Sequence, residues 1–244
     1  MPRFFADLCN ITDTDIKIVG EDAYHIARSL RMAVGDFVTV SDGGGLDYYC
    51  SLSSIHDEVC VCEIINKEKS KVEPRCHITL FMAYPKGDKL EVVVQKAVEL
   101  GASEIVPFES SRCIKRPKAE KQERITERLN KIAKEAAKQS GRAILPTVSH
   151  AVSFSKMLEL ATKSELALLC YESEEGKTLK GAIGERDIPK SLACIVGCEG
   201  GFSREEAEEA IARGIVSVSL GRRILRCETA PDFILSALEY EFEL

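Results

Sequence analysis

The spacing of apolar positions changes character about a third of the way along the chain. Up to about residue 72, short runs alternate between apolar and polar side chains, the period of half-buried strands. Asp15–Val19, Asp36–Ser41, Leu46–Leu52 and Glu58–Ile65 read as strands, with Asp42-Gly-Gly-Gly45 as a turn between the second and third. Asp22 to Met32 reads as a short helix that gathers Ala23, Ile26, Ala27 and Leu30 on one side. Several short strands and one small helix predict a compact β-barrel over residues 1–72. Asn66 to Pro74 is polar and ends in proline, the composition of a linker or domain edge.

Beyond that edge, apolar runs alternate with stripes at three- and four-residue spacing. Ile78–Ala83 and Glu104–Phe108 are strand-like. Asp88–Leu100 is a helix with Leu90, Val93, Val94, Ala97 and Leu100 on its apolar face, stopped at Gly101. Residues 118–140 form a long helix with Ile125, Leu129, Ile132 and Ala136 toward the core. Strands follow at Leu166–Tyr171, Leu192–Val196 and Val216–Leu220. Strands alternating with helices predict an α/β domain over 73–244, with a largely parallel sheet covered on both faces. Ligands bind at the carboxyl ends of such strands, here near Tyr171, Gly197 and Gly221. Periodicity leaves the strand order open.

Two stretches near the C-terminus stand out: Ile195-Val-Gly-Cys-Glu-Gly-Gly-Phe-Ser-Arg-Glu-Glu206 and Val218-Ser-Leu-Gly-Arg-Arg-Ile-Leu-Arg-Cys-Glu-Thr-Ala230. Each reads as a strand, a glycine-bearing loop and a helix. Ser203 and Glu206 have the spacing of a capping box, and Thr229 is placed to cap the last helix. Glycine after a strand lets a ligand approach the backbone, because no Cβ intervenes. A single loop of this kind is more often an ordinary turn. Two together can hold a flat, polar cofactor through backbone groups.

Composition refines this picture. The chain has 244 residues, 45% of them hydrophobic and 30% charged, as in ordinary globular proteins. No apolar run approaches the roughly 20 residues of a membrane span, and the N-terminus lacks the pattern of a signal peptide, so the expected compartment is the cytoplasm. The ten cysteines include no Cys-x-x-Cys and no zinc-finger spacing, so buried free thiols are expected and no metal. The net charge is −6, yet Arg112 to Arg142 holds eleven Lys or Arg against four Glu. On the long helix, Lys121, Arg124, Arg128, Lys131 and Lys138 fall on one side, and Arg112, Lys115 and Arg116 extend the strip. A solvated face is one reading and RNA phosphate contact the other. Arg3, His25, Arg28 and Arg31 are the notable polar residues of the first region. A phosphate-binding P-loop, a dinucleotide fingerprint and a nucleophile elbow are all absent.

The chain closely resembles the ribosomal RNA small subunit methyltransferase E family, of the SPOUT class. The resemblance rests on Met1-Pro-Arg-Phe-Phe5; on His25, Leu30-Arg31 and Val34-Gly-Asp36; and on Pro85-Lys-Gly-Asp-Lys89 with Gln95-Lys96 and Glu99-Leu-Gly101. It continues through Glu135-Ala-Ala-Lys-Gln-Ser-Gly-Arg142, Gly197 to Ser203 and Leu220 to Ala230. Cys198 replaces the family's usual proline, and Pro231 a small apolar residue.

The resemblance implies a PUA-like RNA-binding domain and a SPOUT α/β domain tied in a deep trefoil knot over about 193–230. It implies S-adenosyl-L-methionine as methyl donor, N3 of a uridine in 16S rRNA of the small ribosomal subunit as acceptor, and a homodimer. Tyr171, Gly197, Glu199, Gly200, Leu220, Arg223, Ile224 and Leu225 become the expected cofactor residues. Arg3, Arg28, Arg31, Lys86, Arg112, Arg124, Arg128, Lys131 and Arg142 become the expected RNA contacts. Uridine N3 carries a proton, so a base or a cation facing the developing anion is required. Arg226 and Glu228 are the expected catalytic pair, with a structural salt bridge between them as the rival reading. Ribose 2′-O methylation and a non-catalytic RNA-binding assembly role are the alternative functions.

Overall fold

A computed structural model describes residues 1–114, 119–184 and 187–243. The chain divides into two compact units, Met1–Glu73 with Ala137–Leu145, and Pro74–Ala136 with Pro146–Leu244.

The first unit is built on β1 (Arg3–Phe5), β2 (Asp15–Val19), α1 (Glu21–Tyr24), β3 (Phe37–Ser41), β4 (Leu46–Ile55) and β5 (Val59–Lys69). The sheet order is β1-β3-β4-β5-β2. The hydrogen-bonded ladder is open, with β1 and β2 at its edges, a partial form of the compact barrel that the sequence predicts. Alternation places Ile16 and Ile18 of β2 and Cys60 and Cys62 of β5 in one core with Phe4, Val38, Val40 and Leu52.

The helix predicted over Asp22–Met32 is one α-turn followed by a wider π-turn at His25–Ser29. Arg31 then takes φ 52, the left-handed region that ends helices. The predicted linker shrinks as well. β5 runs on to Lys69 because Leu46, Asp47 and Tyr48 pair with Lys69, Glu68 and Lys67; backbone pairing does not require apolar side chains.

Residues 137–145 join this unit, although the sequence assigns them to the second region. Ile144 bridges to Gly43 and Gly44. The Ser41 hydroxyl donates to the Ala143 carbonyl at 2.7 Å, and Glu73 Oε1 accepts from the backbone N–H groups of Ala143 at 2.7 Å and Ile144 at 3.0 Å.

The second unit comprises β6 (His77–Ala83), α2 (Lys89–Glu99), β7 (Glu104–Glu109), α3 (Ala119–Ser140, whose last residues belong to the first unit), β8 (Thr147–Val148), β9 (Val152–Ser153), α4 (Phe154–Ala161), β10 (Leu166–Cys170), α5 (Leu179–Ile183), β11 (Ser191–Val196), α6 (Arg204–Ala212), β12 (Val216–Val218) and α7 (Thr229–Phe242). The sheet order is β12-β10-β11-β6-β7-β8, with β9 beside β7, and every pairing is parallel. All of β10 and nearly all of β6 and β11 are buried, the signature of a sheet covered on both faces.

The Ser203–Glu206 capping box forms as expected. Thr229 does not cap. It is already the first residue of α7, and its backbone N–H, like that of Ala230, donates to the Arg226 carbonyl at 2.9 Å. All ten cysteines are free thiols, Cys9 exposed and the rest buried. No helix among the described residues is long and apolar enough to cross a membrane.

Candidate active site

Three neighbouring parallel strands, β12, β10 and β11, end on the same side of the second unit's sheet. Their exits are Ser219-Leu220-Gly221, Tyr171-Glu172 and Gly197 to Gly201. The exits of β10 and β12 are fastened together. The Tyr171 N–H donates to the Val218 carbonyl at 3.1 Å, and Ser219 exchanges backbone bonds with Lys177 and Leu179 at 2.8 and 3.0 Å. Between the exits lies a cavity of about 570 Å³, lined by both glycine loops, by Arg222 to Cys227 and by Lys89.

The first loop closes through the Gly201 N–H, which donates to the Cys198 carbonyl at 2.9 Å. Gly201 has φ 63, a conformation that L side chains rarely adopt. A β-carbon on Gly197 would lie 3.1 Å from the Gly201 Cα and 3.2 Å from the Phe202 ring. Such backbone walls leave room for a flat group and offer it N–H and C=O partners, which is what an adenosyl group requires. Arg112 Nη1 donates to the Gly200 carbonyl at 2.8 Å, and the Ser111 N–H donates to Glu206 at 2.7 Å. The segment after β7 therefore braces this loop and the start of α6.

Charge at the cavity is organised around Lys89, the first residue of α2. Its ammonium lies 3.0 Å from Glu199 Oε1 and 3.1 Å from Glu228 Oε2, which together raise its pKa. The Cys227 thiol donates to Glu228 at 3.2 Å; this bond first, then the Glu228 backbone N–H and Lys89, holds the Glu228 carboxyl below the usual range against the opposing effect of burial. Burial also works against ionisation of Glu199. Its own backbone N–H, Lys89 and the Lys86 backbone prevail and lower its pKa. Burial and then Glu228 push the Cys227 thiol up to about 12, so it is a protonated donor at neutral pH. Arg226 is exposed, and its guanidinium has no hydrogen bond or ion pair among the described residues. Glu228 is paired with Lys89 and not with Arg226, which removes the Arg226–Glu228 salt bridge from consideration.

Of the residues expected at the cofactor, Tyr171, Gly197, Glu199, Gly200, Leu220, Arg223, Ile224 and Leu225 all line this one cavity, as does Arg226. Glu228 meets it through Lys89. Lys89, Cys227, Glu172 and Arg222 also line the cavity, and none of them is among the residues expected from the sequence. Lys89 was within reach, since it closes the Pro85–Lys89 motif. No local pattern marks Glu172.

The cationic candidates divide. Arg124 and Lys131 are exposed on α3, and Arg128 is exposed but paired with Glu91 at 2.8 Å. Arg31 is exposed, and Arg28 makes an exposed pair with Asp57 at 2.6 Å. Lys86 is exposed, with its backbone N–H on Glu199 at 3.1 Å. Two expectations need correcting. Arg142 is only 4% exposed and is held by Glu73 at 2.8 Å. Arg3 is largely covered and bonded to Asp47 at 3.0 Å. Both are internal ties of the first unit, closed to a phosphate. Lys138 likewise leaves the basic strip, since its ammonium lies 2.7 Å from Asp22. Lys115 and Arg116 fall outside the described residues. No group of three or more His, Cys, Asp or Glu among the described residues is arranged to hold a metal.

Residues 72–239 match the model of an RNA methyltransferase domain, and residues 18–65 match that of an RNA methyltransferase PUA domain. The ribosomal RNA small subunit methyltransferase E of Bacillus subtilis (strain 168) is 34% identical over 251 residues, covering 100% of this chain and 98% of the relative. The protein of the same name from Synechocystis is 32% identical, covering 93% of this chain and 74% of the relative. The crystal structure of ribosomal RNA small subunit methyltransferase E from Neisseria gonorrhoeae, bound to S-adenosyl methionine, superposes with a TM-score of 0.87 at 26% identity, over 98% of this chain and 97% of that one. With an RNA methyltransferase domain matched over residues 72–239 and a Bacillus subtilis relative 34% identical over the whole chain, the chain belongs to the ribosomal RNA small subunit methyltransferase E family.

Proposed function

We propose that this protein methylates N3 of a specific uridine in 16S rRNA, within the small ribosomal subunit, with S-adenosyl-L-methionine as donor. The observation that carries this reading is the meeting of both glycine loops around one cavity, with Arg226, unpaired among the described residues, on its wall. The family relationship and the cofactor seen in the gonococcal relative support the choice of donor and substrate.

When bound, S-adenosylmethionine supplies a methyl group already activated on a sulfonium. Gly197, Gly200, Leu220 and Leu225 hold it, chiefly by backbone groups, while Arg223 is placed for its carboxylate or for a phosphate. The acceptor must be unstacked, because base pairing hides N3. Arg226 faces the pyrimidine oxygen on which charge develops as the N3 proton leaves. Glu228 accepts that proton, being acceptor-only when ionised. Arg28 and Arg31 in the first unit, and Lys86, Arg112, Arg124, Arg128 and Lys131 in the second, contact RNA phosphates.

Two further features belong to the proposal. The chain between about 193 and 230 is threaded as a trefoil knot, consistent with β10 lying between β11 and β12. Two copies associate, supported by the exposed apolar side chains Val92, Phe233 and Tyr240 on α2 and α7, helices that pack together. The cytoplasm follows from a ribosomal substrate.

The deciding experiment is methyl transfer to small-subunit particles and to naked rRNA, with the product nucleoside identified by mass spectrometry. N3-methyluridine is expected. A 2′-O-methyl nucleoside, or no cofactor binding by calorimetry, overturns the reading.

A further inference from the structure

Lys89 lies outside both glycine loops, yet it is where they meet. Its ammonium is 3.0 Å from Glu199, in the loop after β11, and 3.1 Å from Glu228, in the segment after β12. It is also 3.8 Å from Cys227 Sγ, and the Lys86 backbone N–H donates to the same Glu199 at 3.1 Å. One short stretch, 86–89, thus holds carboxylates from both walls of the cavity. The Lys89 side chain is 36% exposed, and pairs this open contribute little stability. An ammonium shared by two loops at the mouth of a cavity therefore calls for another role.

Sequence proximity supplies one. Arg226 stands two residues before Glu228, so a carboxylate free to swing would spend part of its time against that guanidinium and blunt it. In the structure the Glu228 carboxylate is taken up by Lys89 and Cys227, and Arg226 stays open. A ligand filling the cavity would also strip water from Glu228 and favour its neutral form; the ammonium opposes this. The charged or titratable groups around Glu228 are Lys89 from α2, Cys227 and Arg226 from its own segment, and Glu199 through Lys89.

We infer that Lys89 is a positioning residue for the methyl transfer proposed above: its ammonium locks Glu228 to the Glu199 loop and leaves Arg226 free to face the RNA base. The inference rests on that reading of the site.

The test uses the full chain with K89M and K89R, and E228Q to assign the Glu228 carboxyl signal. In a carbon-13 carboxyl titration, K89M raises the Glu228 midpoint by about one pH unit, the scale of a missing neighbouring charge, and K89R does not. In the pH profile of kcat/KM for rRNA methylation, the acidic limb moves up with it. In K89M, kcat falls about tenfold while KM for S-adenosylmethionine stays within about threefold, the pattern of an interaction used in the transition state. K89R retains the wild-type limb. An acidic limb unmoved in K89M, or K89R no better than K89M, overturns the inference alone. A wild-type protein that yields no N3-methyluridine overturns the underlying reading and this inference with it.

Discussion

Gly197 and Gly201 face each other across the turn after β11, so closely that a β-carbon on Gly197 would stand 3.1 Å from the Gly201 Cα. The nearest atoms are Gly201 backbone, which cannot rotate away, with the Phe202 ring at 3.2 Å beside them. G197A should therefore displace the loop and weaken S-adenosylmethionine binding by about tenfold or more, roughly 1.4 kcal/mol. Isothermal titration calorimetry reads this directly, and unchanged affinity would show that the loop does not form the cofactor wall.

Arg226 has no internal partner among the described residues, so its removal leaves no orphaned carboxylate. R226A should lower kcat by about a hundredfold, the scale of one removed anion-stabilising donor, with cofactor affinity little changed. Equal losses in both quantities would move Arg226 into the cofactor site.

The exposed cations of α3 make a separable prediction. Reversing Arg124, Arg128 and Lys131 to Glu should weaken RNA binding and flatten its dependence on salt, by roughly one unit of slope for each phosphate no longer neutralised. Filter binding at several salt concentrations measures both. An unaltered slope would make this surface a solvated helix face.

In the first unit, Arg142 and Glu73 form a pair with side chains only 5% and 14% exposed. Removing one partner of a buried pair strands the other charge. R142A should destabilise the first unit by about 3 kcal/mol, seen as a lower urea midpoint. A midpoint shift no larger than that of an exposed-pair mutant such as R28A would refute the structural assignment.

Acid sensitivity follows from the depressed carboxyls. Lys96 chiefly lowers the pKa of Glu99; Cys227, the Glu228 backbone and Lys89 lower that of Glu228; and backbone donors with Lys89 lower that of Glu199. Each folded value lies below the unfolded one, so the stabilisation is present above about pH 4.3 and is lost as pH falls through the folded values. The melting temperature should hold from pH 7 to 5 and drop below pH 4. A steady decline beginning near pH 6.5 would implicate histidines instead.

Local chemistry alone determined much of this protein. The period of two marks β2 to β5, the three- and four-residue stripes mark α2 and α3, and the capping box marks the start of α6, because each signal is written in residues close along the chain. The two glycine loops were legible for the same reason, and with them most of the cavity lining. Tertiary structure decided what depends on partners far away in sequence. It set the strand order β12-β10-β11-β6-β7-β8, which places the loops on either side of the β10 exit, and carried residues 137–145 into the first unit through Glu73 and Ser41. It withdrew Arg3 and Arg142 into internal ion pairs. It also gave Glu228 to Lys89 rather than to the arginine two residues away, because an ammonium 139 positions back in the chain lies where the second loop ends, and only the folded sheet puts it there.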